Sequence, residues 1–129
     1  MGPLSTKEEL LSRIRTSLGG RAAEITYYGE KDGISTGASG DLEQATRVAQ
    51  AMICTYGMDE DFGLGVMGQQ EAANNPEVKK RINEILSEEM HNTVELIKTN
   101  KHRIDRMVNA LMKKNKLSGE EMEELLRED

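Results

Sequence analysis

One carboxylate in this sequence stands in a setting that singles it out for chemistry. Asp41 follows the run Gly37-Ala38-Ser39-Gly40 and precedes Leu42-Glu43-Gln44-Ala45-Thr46-Arg47-Val48-Ala49, a loop of small residues leading into an amphipathic helix. Ser39 is the expected N-cap, since its hydroxyl can accept from a free amide in the first turn, worth about 1 kcal/mol over alanine. Asp41 then lies in that first turn, where its charge meets the positive end of the helix dipole for about 0.3 to 1 kcal/mol. As plain structure, that is a well-capped helix. As chemistry, a loop of small residues brings backbone close to another group, and a carboxylate pointing at that group acts as a ligand or an orienting partner.

The other reactive side chains are less well placed. His91 and His102 are too far apart to form the pair, four residues apart on one helix face, that a helical zinc site wants. Neither lies on an apolar stripe, so both are expected at the surface. Cys54, the only cysteine, falls within an apolar helix face and reads as a small core residue rather than a nucleophile. The acidic tail from Glu120 to Glu124, with Glu128 and Asp129, is a solvated face. Gly-Ala-Ser-Gly-Asp has neither Walker spacing nor a strand-loop-helix context, which argues against nucleotide binding in this chain.

The elements that position these residues read as helices. Ser5 with Glu8, or Thr6 with Glu9, forms a capping box, and Leu10, Leu11, Ile14 and Leu18 follow at helical spacing. Gly19-Gly20 interrupts the pattern, but Ala22 and Ile25 continue the stripe. The economical reading is one helix to about Tyr28, with the paired glycines where another backbone packs close; two helices broken at the glycines are the alternative. Gly29 to Gly40 is a loop. A second helix from Ser39 to about Tyr56 buries Leu42, Ala45, Ala49, Met52, Ile53 and Tyr56, and Gly57 suits a left-handed C-cap. Residues 58–75 read as a mobile surface loop with little that could form a core. Asn75-Pro76 opens a third helix to about Thr99, with Val78, Ile82, Ile85, Leu86, Val94 and Ile97 on its apolar face. A fourth begins at Thr99 or Asn100 and carries Ile104, Met107, Val108, Leu111 and Met112. The short connection predicts that helices three and four are antiparallel neighbours. Ser118 with Glu121 caps a short last helix. The expected fold is therefore all-α, a bundle of about five helices with two long antiparallel ones.

The totals agree with a single domain. The chain has 129 residues, 36% hydrophobic and 31% charged, and aromatics make up only 3% against eight methionines. Such a core lacks aromatic anchors, and methionine specifies packing less sharply than branched residues, so stability is expected to be modest. A net charge of -6 argues against a nucleic-acid partner bound through its phosphates. A lone cysteine fits a reducing compartment, and no run approaches a membrane span. Met1 to Leu4 look like an imposed start, so residues 5–129 are expected to be a piece of a longer protein.

Two separated motifs carry a family resemblance. Leu-Gly-Gly-Arg-Ala-Ala-Glu at Leu18 to Glu24, followed by Ser-Thr-Gly-Ala-Ser-Gly-Asp-Leu-Glu-Gln-Ala-Thr-Arg-Val-Ala at Ser35 to Ala49, resembles the peptidase domain of FtsH-type ATP-dependent zinc metalloproteases. The likeness begins at Thr6-Lys7-Glu8-Glu9-Leu10-Leu11 and continues through Tyr56-Gly57-Met58 into the long helices. The resemblance implies that Asp41 is the third zinc ligand, completing a set whose two histidines belong to an H-E-x-x-H helix. It implies that Glu24 lies near the metal and orients one of those histidines, and that Gly19 and Gly20 let the metal-bearing helix pack closely.

The departures from the family pattern are equally specific. No H-E-x-x-H occurs in the sequence, so the histidine ligands and the catalytic glutamate are expected upstream of Thr6, in a longer parent. Gly40 stands where asparagine is usual, and Ile25 where a second glutamate is common. By resemblance the parent is a membrane-anchored homo-hexamer that degrades unfolded or surplus proteins, membrane-bound and soluble. This part lies on the cytoplasmic side, and a separate ATPase module binds ATP and magnesium. The chain alone is expected to be soluble and inactive, with weak zinc binding or none. The rival reading is a non-catalytic helical module for assembly or partner binding.

Overall fold

The computed structural model describes residues 4–33 and 36–114. The chain divides into two compact units, Met1–Val94 and Glu95–Asp129. Among the described residues there are five α-helices, one 3-10 turn and no strand: α1 (Lys7–Gly33), the turn Thr36–Ala38, α2 (Ser39–Cys54), α3 (Gln69–Ala73), α4 (Pro76–Thr99) and α5 (Lys101–Lys114). The all-α expectation holds. The short helix expected from Ser118 lies outside the described residues.

In the first unit, local signals set the start of each long helix. Thr6 and Glu9 form the capping box, with the Glu9 amide donating to Thr6 Oγ1 at 3.1 Å and the Thr6 amide to Glu9 Oε1 at 3.4 Å. Asn75 caps α4 by accepting from the amides of Glu77 at 2.9 Å and Val78 at 3.3 Å, and Pro76 fills the first helical position, where no amide is needed. Helix α1 runs through Gly19-Gly20 and breaks at Gly29, whose φ of 80° and ψ of 165° form a combination open essentially to glycine alone. The single-helix reading to about Tyr28 is correct. Ser39 is the first residue of α2 rather than the cap flanking it, because the 3-10 turn already winds the chain before it.

The core forms where three apolar stripes meet. Helix α1 contributes Leu10, Ile14, Leu18 and Ala22; α2 contributes Ala45, Val48, Ala49, Met52, Ile53 and Cys54; α4 contributes Val78, Ile82 and Ile85. Each fully buried aliphatic side chain is worth about 1.5 to 3 kcal/mol relative to exposure, and Leu10, Ile14, Leu18, Met52, Ile53 and Val78 carry most of it. Tyr56, expected on the buried face of the second helix, lies beyond its end at Cys54 and is 45% exposed.

Residues 58–75 depart from the expected mobile loop. Met58, Phe62 and Met67 pack against the core, Ala72 is buried, and Gln69–Ala73 form α3. Asp59 is only 4% exposed and its Oδ1 accepts from Arg81 Nε of α4 at 2.8 Å. The Met67 amide donates to the carbonyl of Cys54 at 2.9 Å, satisfying one of the acceptors that the end of a helix leaves open. Gly57 makes the turn possible. Its φ is 60°, as expected of a left-handed cap, and a Cβ there would lie 3.3 Å from Leu64 Cδ2 and 3.4 Å from Leu64 Cα.

A second ionic contact joins α1 to α4. Arg15 bridges Glu8 and Glu89, with 2.6 Å to Glu8 Oε1 and 2.5 Å to Glu89 Oε1. Glu89 continues the buried stripe of α4, followed by Thr93, whose hydroxyl donates to the Glu89 carbonyl at 2.6 Å.

In the second unit, the chain passes into α5 through the single residue Asn100. Its amide donates to Leu96 O at 3.1 Å, its side-chain amide to the same carbonyl at 2.8 Å, and its carbonyl accepts from Ile104 at 3.0 Å. Lys101 pairs with Asp105 one turn on, at 3.0 Å.

Candidate metal centre

The packing of α1 on α2 places Asp41. Ala22 on one helix and Ala45 and Ala49 on the other have no exposed surface, so small side chains let the two backbones approach. Asp41 sits in the first turn of α2, one turn before Ala45 on the same face. A Cβ built on Gly20 would lie 3.7 Å from Asp41 Oδ2. The carboxylate therefore lies over the bare backbone of α1 while remaining exposed to solvent.

Glu24 follows Gly20 by one turn on the same face of α1 and is half-buried. Gly20 therefore faces Asp41, with Glu24 one turn further along α1. Among the described residues a Cβ at Gly19 would meet nothing within 4 Å, and Gly20 is approached by a carboxylate and by no backbone. Two nearby hydroxyls are committed within their own helices. Thr26 Oγ1 donates to Ala22 O and Thr46 Oγ1 to Leu42 O, both at 2.8 Å.

The remaining candidates have surroundings of their own. His91 and His102 are exposed. Cys54 is buried at 4% exposure, and that burial pushes its thiol above the ordinary value, with the charge of Glu71 adding to the effect. A thiol held protonated in this way is inert as a nucleophile at neutral pH.

The donor set can be weighed against a metal. An exposed carboxylate facing a glycine keeps an open side for a cation, which fits one ligand of a zinc site. A catalytic zinc takes three protein ligands, and among the described residues no three His, Cys, Asp or Glu side chains stand together in a way that could hold one. The described residues therefore hold no complete three-ligand centre.

Comparison with known proteins covers nearly the whole chain. The sequence profile of Peptidase family M41 matches residues 3–125. The ATP-dependent zinc metalloprotease FtsH of Chloroflexus aggregans is 36% identical over an alignment that covers 96% of this chain and 21% of that protein. FtsH 2 of a Thermoanaerobacter species is also 36% identical, over 98% of this chain and 24% of its own length. The YME1 homolog of Schizosaccharomyces pombe, likewise an ATP-dependent zinc metalloprotease, is 33% identical over 96% of the chain and 18% of its own. The chain spans about a fifth of the length of these relatives. With two motifs in order and a profile match over nearly its whole length, this chain belongs to peptidase family M41.

Proposed function

We propose that this chain is the helical part of the peptidase domain of an ATP-dependent zinc endopeptidase, and that Asp41 is its zinc ligand. The observation that carries the reading is the exposed Asp41 carboxylate in the first turn of α2, with Oδ2 lying over Gly20. The two histidine ligands and the catalytic glutamate come from an H-E-x-x-H helix upstream of Thr6, which lies along the Gly19-Gly20 face of α1. Glu24, one turn from Gly20, orients a ligating histidine by accepting its second ring N–H, which fixes the ring and its tautomer.

Zinc, when bound, supplies Lewis acidity at a peptide carbonyl and activation of water. The residues of this chain hold and aim. Asp41 contributes a negative oxygen donor on a helix whose start is fixed by the core beneath it. Glu24 contributes a second carboxylate that sets the orientation of a neighbour. The substrates are unfolded or surplus proteins, membrane-bound and soluble. They are delivered by an ATPase module binding ATP and magnesium, in a membrane-anchored homo-hexamer with this part on the cytoplasmic side.

The test is Asp41→Asn in the full-length protein. Lost proteolysis with unchanged folding and ATP hydrolysis supports the ligand role; retained proteolysis removes it. Calorimetric titration of the 129-residue chain with zinc is expected to give weak binding or none, and submicromolar binding would overturn the division of ligands. An upstream coding sequence without H-E-x-x-H would leave a non-catalytic helical module as the reading.

A further inference from the structure

The segment after α2 shows large aliphatic side chains to solvent from a loop that is firmly held. Leu64 is 86% exposed and Val66 77%, with Tyr56 nearby in sequence at 45%. The same loop is fixed on both sides of these residues. Asp59 is buried against Arg81, the Gly63 amide donates to the Asp59 carbonyl at 2.9 Å, and the Met67 amide donates to Cys54 O at 2.9 Å. Phe62 and Met67 turn toward the core while Leu64 and Val66 face out. Isolated exposed aliphatics need no explanation. Two of them on a loop pinned by a buried ion pair form a fixed apolar edge.

The sequence around that edge carries charge of one sign. No Lys, Arg or His stands between Arg47 and Lys79, whereas Asp59, Glu60, Asp61, Glu71 and Glu77 all do. Among the described residues Arg81 reaches the loop, and it is engaged with Asp59, Asp61 and Glu84. Glu60 and Glu71 are exposed, and Asp61 is 72% exposed despite its contact with Arg81.

We propose that the Leu64–Val66 edge docks an extended polypeptide segment in which aliphatic side chains alternate with lysine or arginine. The aliphatic side chains cover Leu64 and Val66, and the basic ones meet Glu60, Asp61 and Glu71. Charge complementarity selects this occupant over an acidic or purely apolar one. The proposal holds whether or not Asp41 ligates a metal, so its failure and the failure of the peptidase reading are distinguishable.

The test uses the 129-residue chain and fluorescence anisotropy with two labelled peptides, one alternating leucine and lysine, the other leucine and glutamate. The Leu-Lys peptide is expected to bind saturably and the Leu-Glu peptide not at all. Binding should weaken in about 1 M salt, where the screening length falls to about 3 Å. Leu64→Ser/Val66→Ser should weaken it by about tenfold, with an unchanged thermal melt. Glu60→Lys, which leaves the loop anchors in place, should weaken it as well, and it serves as the decisive variant if the serine pair lowers the melt. Equal binding of both peptides, no binding of either, or unchanged affinity in Glu60→Lys overturns the proposal. So does a concentration-dependent dimer that Leu64→Ser/Val66→Ser dissolves, because that outcome assigns the edge to a second copy of the chain.

Discussion

Replacing Arg15 by methionine is expected to destabilise the chain far more than its partly exposed position suggests. Its guanidinium bridges two carboxylates in different surroundings: the Glu8 side chain is 74% exposed and the Glu89 side chain 6%. The exposed bridge to Glu8 is screened by water and worth about 0 to 1 kcal/mol. Loss of the bridge to Glu89 leaves a buried carboxylate whose other side-chain partner is Asn92, at 3.2 Å, and removing one member of a buried pair costs about 3 to 5 kcal/mol. Glu89→Met should be milder, at about 1 to 3 kcal/mol, because Arg15 keeps Glu8 and its own side chain is 23% exposed. The double variant Arg15→Met/Glu89→Met should return to within about 1 kcal/mol of the parent, since a hydrophobic replacement avoids desolvating both charges. Urea unfolding at neutral pH measures all three, with equal m values required for the comparison. Additive single effects, or a cost of Arg15→Met under about 1 kcal/mol, would show that the pair behaves as an ordinary surface bridge and refute the reasoning.

Gly57→Ala should cost about 1 to 2 kcal/mol from the left-handed backbone alone, and more if Leu64 cannot move away from the added Cβ; an unchanged urea midpoint would count against the turn as described. Asn75→Ala removes the acceptor for two α4 amides and should cost about 1 kcal/mol, read in the same experiment, whereas Asn75→Asp should retain most of the stability. Cys54 gives a pH dependence with a definite sign. Its folded thiol is held above the ordinary value of 9.0, so the unfolded chain loses the proton first. Its contribution to stability is complete below the ordinary value and falls as pH rises past it. Cys54→Ala should therefore show a shallower alkaline decline than the parent in urea midpoints, and parallel declines would contradict the burial effect. Native Cys54 should also resist alkylation at neutral pH until urea unfolds the chain.

Much of the site was legible because its signals are local. The Thr6-Glu9 capping box, the Asn75-Pro76 helix start, the Gly57 turn and Asp41 in a first helical turn are each written within a few neighbouring residues. What lay hidden depends on partners far apart in the chain. Glu89 and Thr93 interrupt the apolar pattern of α4, yet both are buried: Arg15, from the other end of the first unit, supplies Glu89 with its counter-charge, and the Thr93 hydroxyl donates to the Glu89 carbonyl. Asp59 lies in the segment expected to be mobile, and its pairing with Arg81, far along the chain, helps to order it. Glycine-rich composition suggested mobility at 58–75, whereas Phe62, Met67 and Ala72 use the available apolar surface to anchor it. The reverse error occurred at Tyr56, where helical spacing was extended beyond the last turn of α2.

The two alanines that follow Asp41 along α2 act as spacers between α2 and α1. Ala45 and Ala49 stand one and two turns along α2 from the carboxylate and are completely enclosed, so methyl groups set how far the acid sits from the backbone of α1. A larger residue at either position would wedge the helices apart, at about 1 to 3 kcal/mol of overpacking. It would also lift Asp41 away from Gly20 without touching either. If Asp41 is the ligand we propose, a displacement of about 1 Å can lower a rate by about a hundredfold, and substitutions at these alanines would then register as loss of activity in the full-length protein.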